Sequence, residues 1–223
     1  EGFPIEKFEE IGYGAIWHGQ KSFNGVAILA RNQQPEETKR GLDGEPEDEH
    51  SRYLEANVQS PDGQTVRVAS IYLPNGNPLP GPKFDFKLRW MKRLRDRADQ
   101  LWQEEIPVVL AGDYNVIPRD NDVFSVKAMA SDALMQPESR AAYQRILNDG
   151  WTDALGVTYP AVNIGPYWDY RTAGRQRDQG FRIDQLLLSP PAADCLKTCG
   201  VDKDHRGREK ASDHAPTWVE LAL

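Results

Sequence analysis

The chain has 223 residues, of which 39% are hydrophobic and 27% are charged, and 27 basic against 34 acidic residues give a net charge of −7. Its 6 Trp, 8 Tyr and 7 Phe residues exclude a disordered chain, and no apolar run is long enough to span a membrane. The acidic balance excludes binding to nucleic acid over the whole surface, but it leaves a local basic site possible.

Only Cys195 and Cys199 carry thiols. Two cysteines cannot hold together a chain of this length, and there is no CxxC array for structural zinc. We therefore expect a reducing compartment, no disulfide and no redox role for either thiol.

Short apolar runs in the first third of the chain predict strands. They are bounded by glycine and polar turn residues, as strands usually are. Residues 31–51, which have almost no apolar side chains, are predicted to form a solvated loop. Alternation along residues 66–72 predicts one face with Val66, Val68, Ser70 and Tyr72, and the other with Arg67, Ala69 and Ile71. The predicted strands are 14–17, 25–30, 53–58 and 66–72.

A long amphipathic helix is predicted within residues 83–105, where apolar side chains recur at helical spacing. Its opposite face is basic, and we expect that face to be solvated surface rather than a DNA contact. The apolar stripe consists of Leu88, Met91, Leu94, Ala98, Leu101 and Trp102, and the basic face of Lys87, Arg89, Lys92, Arg93, Arg95 and Arg97.

The rest of the chain predicts alternating strands and one more helix. Residues 106–112 form a continuous apolar run, which is typical of a strand covered on both faces. A helix is predicted at 139–148, and strands at 181–188 and 217–223. No linker or repeat divides the chain, so residues 1–223 predict one α/β domain with a mixed sheet or two stacked sheets, covered by helices.

Ionisable and amide side chains stand at the ends of these apolar strands. Each has an ordinary explanation by itself: a turn residue for Asp113, an ion-pair partner for Asp184, and a cap or salt bridge for Asp213 and His214. Together with Asn115 they indicate more, because strand ends gather at one rim of a sheet, where open α/β folds bind ligands.

The residue types indicate a hard cation and phosphoester hydrolysis. Carboxylate and amide oxygens suit Mg²⁺, with Mn²⁺ as an alternative, whereas zinc would require more His or Cys. One carboxylate would orient or deprotonate a water molecule, and a histidine beside an acid would stabilise the charged transition state.

Six segments, in order along the chain, resemble the exodeoxyribonuclease III branch of the endonuclease/exonuclease/phosphatase superfamily. This branch includes the abasic-site endonucleases of base excision repair. GDYN, RID and SDH indicate the superfamily, and SIYLPNG and GQKSFNGVAIL indicate the branch. The segments are GQKSFNGVAIL (19–29), SIYLPNGN (70–77), KF with KLRWM (83–91), GDYNVIP (112–118), GFRIDQLLLS (180–189) and SDHAP (212–216).

The resemblance implies a fold and an activity. The fold would be a four-layer α/β sandwich, two packed mixed β-sheets flanked by helices, with the active site at one rim. The activity would be Mg²⁺-dependent hydrolysis of DNA phosphodiesters, cutting at abasic sites and removing nucleotides or blocking groups from 3′ ends. The partner would be double-stranded DNA, and we expect a monomer in a bacterial-type cytoplasm, in use at the nucleoid, with no membrane association.

The resemblance also implies roles for individual residues. Asp113 would position or activate the attacking water, Asn115 would hold the phosphate, and His214 would contact the transition state, oriented by Asp184. Asp213 would help to bind Mg²⁺. The implied catalytic residues are Tyr72, Asp113, Asn115, Asp184 and His214, and the implied metal ligands are Asp113, Asn115, Asp213 and His214.

A substrate pocket follows from the same resemblance. Asn75 would lie near the scissile phosphate, as would Tyr72. Four apolar residues would receive a flipped-out, base-less sugar, although core packing explains them equally well, and arginines on a Gly-containing loop would hold the DNA backbone. The apolar set is Tyr167, Trp168, Phe181 and Ile183, and the arginines are Arg171, Arg175 and Arg177.

The family pattern is incomplete in this chain. In the family, an early strand carries an Asn, and a later strand ends in Leu-Gln-Glu, whose Glu is a main metal ligand; neither motif occurs here. We therefore expect an N-terminally truncated domain that lacks two strands and a helix, with weak activity and poor stability for residues 1–223.

Two other functions remain open. The first is a superfamily hydrolase of phosphoinositide or sphingomyelin, which should lack SIYLPNG and the aromatic segment before RID. The second is a non-catalytic DNA-binding or scaffold module, which the missing Glu makes plausible. Hydrolysis of a lipid headgroup would favour the first, and binding of abasic DNA without cutting would favour the second.

Overall fold

The structure is a computed structural model that describes residues 2–161, 165, 167, 180–208 and 211–223. Within these residues a short helix is followed by five strands, and helices and strands are interspersed after them. The strands are β1 (Tyr13–Gly19), β2 (Gly25–Arg31), β3 (Glu36–Arg40), β4 (Tyr53–Gln59), β5 (Thr65–Tyr72), β6 (Val108–Asp113), β7 (Thr152–Asp153), β8 (Asp184–Leu188), β9 (Leu196–Val201) and β10 (Thr217–Leu221). The α-helices are α1 (Ile5–Glu9), α2 (Pro82–Trp102), α3 (Val126–Met129), α4 (Pro137–Asn148), α5 (Ala154–Thr158) and α6 (Pro190–Asp194).

A six-stranded mixed sheet forms the centre of the fold, in the order β3-β4-β5-β6-β8-β7. β5 and β6 are parallel and are joined through α2, whereas their other neighbours in the sheet are antiparallel. Parallel strands joined through a helix have their carboxyl ends at the same edge of the sheet. The loops that follow β5 and β6 therefore emerge side by side.

Helices α2 and α4 cover one face of this sheet. Four residues of the predicted apolar stripe of α2 pack with Ala69 and Ile71 of β5, whereas Trp102 of that stripe is exposed; the four are Met91, Leu94, Ala98 and Leu101. Tyr114 and Tyr143 complete the layer with an edge-to-face contact at 5.8 Å between ring centroids. This cluster is the largest apolar core among the described residues.

Two separate antiparallel strand pairs, β1–β2 and β9–β10, lie on the opposite face. Val26 and Ile28 of β2 pack on β4, and Cys199 of β9 packs with Val66 of β5. A groove of about 380 Å³ runs between the pairs. The mixed sheet with its helices confirms the predicted α/β fold class. In the described residues, two separate two-stranded antiparallel sheets lie where a second mixed sheet was predicted.

Several boundaries differ from the sequence predictions. The predicted loop at 31–51 contains β3, an edge strand whose polar side chains form ion pairs, such as Arg40 with Glu37, instead of packing in a core. The strand predicted from residue 181 begins at Asp184, because Phe181 forms only isolated bridges. β9 was not predicted.

The sequence suggested that the basic residues of α2 form solvated surface, but two of them are buried. Lys87 is completely buried, and Arg93 is 7% exposed. Arg93 donates to the main-chain oxygens of Leu42 and Asp43 and to the carboxylate of Asp48, so it anchors the loop before β4. Buried cations in a core are tolerated only when they have such partners.

Both cysteines are free thiols in the structure, and Cys199 is buried. Among the described residues, no helix combines the length and the apolar character needed to cross a membrane.

Candidate active site

Three predicted site residues lie in one row across the central sheet. Tyr72, the last residue of β5, is opposite Asp113, the last residue of β6, which is opposite Asp184, the first residue of β8. Residues in register on neighbouring strands point to the same face of a sheet. The register therefore converts three distant sequence positions into one cluster.

His214 joins this row through Asp184. Its Nδ1 lies 2.7 Å from Asp184 Oδ2, and since an ionised carboxylate only accepts, Nδ1 donates and Nε2 is left for a substrate. Burial by itself lowers the pKa of His214, but the hydrogen bond and charge of Asp184, with the charges of Asp113 and Asp213, raise it to about 9. The imidazole is therefore held as a cation at neutral pH.

The pKa of Asp113 is also raised, but by a different main cause. Burial is the main cause that raises its pKa to about 7, and the negative charge of Asp184 adds to the effect. The charge of His214 and the N–H of Asn115, which donates to Oδ1 at 2.8 Å, oppose the rise. A carboxylate whose pKa lies near neutrality is suited to general-base catalysis.

Asn115 reaches Asp113 by a turn of the backbone. Its φ of +45° lies in the left-handed region, which is uncommon for residues other than glycine and occurs often at functional sites. The turn lets Nδ2 donate to both Asp113 Oδ2, at 3.0 Å, and Leu73 O, at 2.9 Å.

A chain of side-chain hydrogen bonds continues from Asn115 along the cavity. Asn75 Nδ2 donates to Asn115 Oδ1 at 3.0 Å, and Asn77 Nδ2 donates to Asn75 Oδ1 at 2.9 Å and to Asp132 Oδ1 at 3.0 Å. We call Asn115, Asn75 and Asn77 the amide chain. Sequence reasoning found Asn75 and missed Asn77, although both lie in the segment PNGN.

Aromatic rings form a second wall. Tyr167 lies 4.8 Å from His214 and 4.6 Å from Phe181 between ring centroids, and the exposed Phe124 lies 6.4 Å from Phe181. Phe181 and Ile183 also belong to a buried cluster with Leu134 and others. They therefore combine the two roles considered for them, core packing and the lining of a cavity.

One cavity of about 480 Å³ collects these groups. Asp184 lies behind His214 and does not line it. Of the predicted site residues, Trp168 and Arg171 lie outside the described residues, as do Arg175 and Arg177. The predicted residues that line the cavity are Tyr72, Asn75, Asp113, Asn115, Tyr167, Phe181, Ile183, Asp213 and His214, and those not predicted are Asn77, Phe124, Met129, Asp132 and Leu134.

The donors in the cavity have the chemistry that a hard cation requires. Asp113 and Asp213 supply carboxylate oxygens, and Mg²⁺ is commonly bound by one or two carboxylates together with water and substrate phosphate. Across the described part of the chain, no group of three or more His, Cys, Asp or Glu side chains is arranged to hold a metal by itself. The predicted four-residue metal set stays a prediction.

Comparison with known proteins gives a consistent result. The profile of the Endonuclease/Exonuclease/phosphatase family matches residues 3–214. Exodeoxyribonuclease III of Haemophilus influenzae is 33% identical over 229 residues, which cover 99% of this chain and 85% of that protein. Exodeoxyribonuclease of Bacillus subtilis is 29% identical over 215 residues, which cover 95% of this chain and 79% of that protein.

Solved structures of DNA-acting enzymes have a fold similar to that of this chain. A 3′ phosphatase, NExo from Neisseria, bound to a product DNA hairpin, has a TM-score of 0.92 and 33% identity and covers 100% of this chain and 84% of that one. An AP endonuclease from Archaeoglobus fulgidus has a TM-score of 0.90 and 32% identity, with the same coverage.

Proposed function

From the premise that the chain belongs to the endonuclease/exonuclease/phosphatase family, a family of nucleases and related hydrolases, we propose that it hydrolyses DNA phosphodiesters at abasic sites and at 3′ ends. The relatives named for these activities support the choice of DNA. The observation that carries the proposal is the row of Tyr72, Asp113 and Asp184, with His214 hydrogen-bonded to Asp184 beside one cavity.

His214 stabilises negative charge in this proposal. With Asp184 accepting from Nδ1, the free Nε2–H donates to a phosphoryl oxygen as charge develops on it. The raised pKa of His214 keeps the ring protonated at neutral pH. A donor already fixed in place needs little reorganisation when the transition state forms.

Asp113 acts on the attacking water. Its pKa of about 7 lets it accept the proton of a water molecule during attack, and the N–H of Asn115 holds Oδ1 in place. Asp113 and His214 thus differ in role: with a pKa of about 7 the carboxylate can accept a proton near neutrality, whereas with a pKa of about 9 the imidazole stays protonated.

Tyr72 and Asn75 position the phosphate. The Tyr72 ring lies under the Arg52 guanidinium at 4.7 Å, and Arg52 Nη1 donates to Tyr72 O at 3.1 Å, so the phenol is fixed from behind. Its hydroxyl and the Asn75 amide line the same cavity as Asp113. Fixed donors on several sides of one phosphate select an in-line geometry.

The substrate side of the cavity is apolar. Phe181, Ile183 and Tyr167 face it, and its volume of about 480 Å³ lies in the usual range for small-molecule pockets. A base-less sugar costs least to extrude from a duplex, which supports an abasic substrate. Mg²⁺ is the cofactor we propose, with Asp113 and Asp213 among its ligands; when bound, it supplies positive charge to the phosphoryl oxygens.

A non-catalytic DNA-binding module is the second candidate. The observation in its favour is that the described residues contain no group of three His, Cys, Asp or Glu side chains able to hold a metal. Such a module would bind abasic duplex at saturating Mg²⁺ without cutting it.

The test is incision of an abasic-site duplex by the wild type and by Asp113→Asn, with Mg²⁺. Loss of a general base lowers kcat by about 10²–10⁴-fold, so we expect little or no cleavage while the far-ultraviolet circular dichroism stays unchanged. Asp43→Asn is the matched control, because the Asp43 side chain is exposed and pairs only with Lys39 among the described residues.

Each outcome has a meaning. Wild-type turnover in Asp113→Asn would refute the role of Asp113. Tight binding by a wild type that does not cut would favour the non-catalytic module. Hydrolysis of a phosphoinositide headgroup without incision of DNA would move the substrate to another branch of the family.

A further inference from the structure

Helix α2 places a buried lysine directly beneath the active-site loops. Lys87 has no exposed surface. Its Nζ donates to the main-chain oxygens of Pro74 at 3.3 Å, Asn75 at 3.1 Å and Asn115 at 2.5 Å. An ammonium has three N–H donors and no acceptor, so these three carbonyls use its full capacity.

The three carbonyls belong to two different loops. Pro74 and Asn75 follow β5, and Asn115 follows β6, so Lys87 joins segments that are 40 residues apart in sequence. Both loops carry members of the amide chain on the cavity side. The ammonium thus binds the main chain of Asn75 and Asn115, whose side chains hydrogen-bond each other above it at 3.0 Å.

The space for the Lys87 side chain depends on a glycine in the loop after β5. At Gly76, where φ is +94°, an added Cβ would lie 2.7 Å from Lys87 Cδ and 3.1 Å from the Ala133 side chain. A residue other than glycine would have to displace the lysine stem or the loop. Burial lowers the pKa of Lys87 to about 7, and the negative charges of Asp113 and Asp132 partly oppose that fall.

Arg93 shows what a buried cation of α2 does elsewhere. It is also nearly buried and also binds main-chain oxygens, those of Leu42 and Asp43. Those oxygens belong to the loop before β4, and neither residue lines the cavity. Arg93 therefore anchors a loop without touching the amide chain.

We propose that Lys87 is a positioning residue of the active site: its ammonium holds the loops after β5 and β6 so that Asn75 faces the substrate phosphate and Asn115 stays hydrogen-bonded to Asp113. This inference rests on the proposed phosphodiesterase function. It predicts that loss of the ammonium disturbs the reacting geometry more than it disturbs substrate binding, because most of the cavity wall is built from other segments.

The experiment compares Lys87→Met and Lys87→Gln with Arg93→Met, using steady-state kinetics on an abasic duplex and thermal unfolding. Misplacement of site groups by about 1 Å costs about 10²-fold in rate, so we expect Lys87→Met to lower kcat about 100-fold with KM within threefold. Lys87→Gln, which keeps two donors, should lie between. Arg93→Met should lose thermal stability with kcat within threefold.

A folded Lys87→Met or Lys87→Gln variant with kcat near wild type would overturn the inference, and so would an equal loss of kcat in Arg93→Met. Nuclear magnetic resonance of the DNA-free protein separates this failure from failure of the proposed function. If the wild type cuts no DNA, shifted side-chain amide signals of Asn75 and Asn115 in Lys87→Gln, unmoved in Arg93→Met, still support the positioning role. Unmoved signals in Lys87→Gln would refute it.

Discussion

At the scale of single residues, the hydrogen bond from His214 Nδ1 to Asp184 Oδ2 controls the charge available to a substrate. The same carboxylate also raises the pKa of Asp113. One acidic side chain therefore moves two neighbouring groups in the direction that each requires, a cation at 214 and a base at 113.

Replacement of Asp184 by Asn removes this control. Burial alone lowers the pKa of His214, and the hydrogen bond and charge of Asp184 are the main causes that raise it to about 9. We expect Asp184→Asn to bring the pKa of His214 down by more than one unit. The measurement is a proton titration of the His214 ring by nuclear magnetic resonance in chelator-treated protein.

The control is Asp213→Asn, which removes a smaller contribution to the same pKa. It should lower the pKa of His214 by less than Asp184→Asn does. An unchanged midpoint in Asp184→Asn would show that the contact does not set the charge of the imidazole.

Residue-level prediction from sequence succeeded where the feature is local. Asp113, Asp213 and His214 stand out because ionisable groups at the ends of apolar strands need partners, and they line one cavity. The sequence prediction grouped Lys87 with basic residues that reach solvent, such as Arg89, although its position four residues before Met91 places it on the buried side of the helix. Asp132 contacts Asn77 across 55 residues, and no local pattern marks such a pair.

At the scale of secondary-structure elements, β4 contains a buried carboxylate, Glu55. Glu55 is 0% exposed and accepts hydrogen bonds from Thr38, Tyr53, Arg67 and Arg97. Burial alone raises its pKa, but the hydrogen bonds from Arg97, Tyr53 and Thr38 together lower it below the ordinary value. Its partners lie on β3, β4, β5 and α2, so the carboxylate ties the edge of the sheet to the helix.

Glu55→Gln should weaken these elements in a pH-dependent way. Breaking a buried ion pair costs about 3–5 kcal/mol, so we expect a loss of that order in the free energy of unfolding at pH 7. Because the pKa is lowered on folding, the contribution of Glu55 is present above the ordinary pKa of about 4.3 and is lost as pH falls through the folded value. Urea denaturation at pH 7, 5, 4 and 3 measures both effects.

The matched control is Glu138→Gln, at an exposed position on α4. It should change the free energy of unfolding by no more than about 0.5 kcal/mol. A difference between wild type and Glu55→Gln that stays constant down to pH 3 would contradict the ionised state assigned to Glu55.

The sequence predicted the strand whose two faces alternate clearly, but it missed a strand that is held by backbone hydrogen bonds instead of by apolar packing. β5 shows the two faces read from residues 66–72, with Ile71 toward α2 and Val66 toward β9. β3 escaped prediction because it has no apolar face, and its hydrogen bonds to β4 hold it in place. Edge strands in native proteins often carry charged side chains, because an exposed apolar edge promotes aggregation.

At the scale of the whole molecule, the resemblance to a known family predicted the fold class. It did not predict the buried hydrogen bonds that join distant segments of the chain. Asp122 and Arg182 are 60 residues apart and form two hydrogen bonds of 3.0 Å. Arg182 also binds Asp153 at 2.8 Å, and Asp153 in turn caps α5 through Gly156 N–H. The loop after β6, the start of α5 and the segment before β8 are thereby joined at one buried point.

Arg182→Met tests this junction. Asp122, which keeps Arg119, and Asp153 would remain buried with their main cation gone, and such uncompensated charge costs about 3–5 kcal/mol. Arg182 stands between Phe181 and Ile183 in the chain, so the aromatic wall of the cavity should loosen with it, and KM for an abasic duplex should rise.

The exposed Arg145→Met on α4 is the control and should stay within about 0.5 kcal/mol of wild type. Urea unfolding and steady-state kinetics give both quantities, and an Arg182→Met variant as stable as the control would show that the acids at 122 and 153 do not depend on this cation.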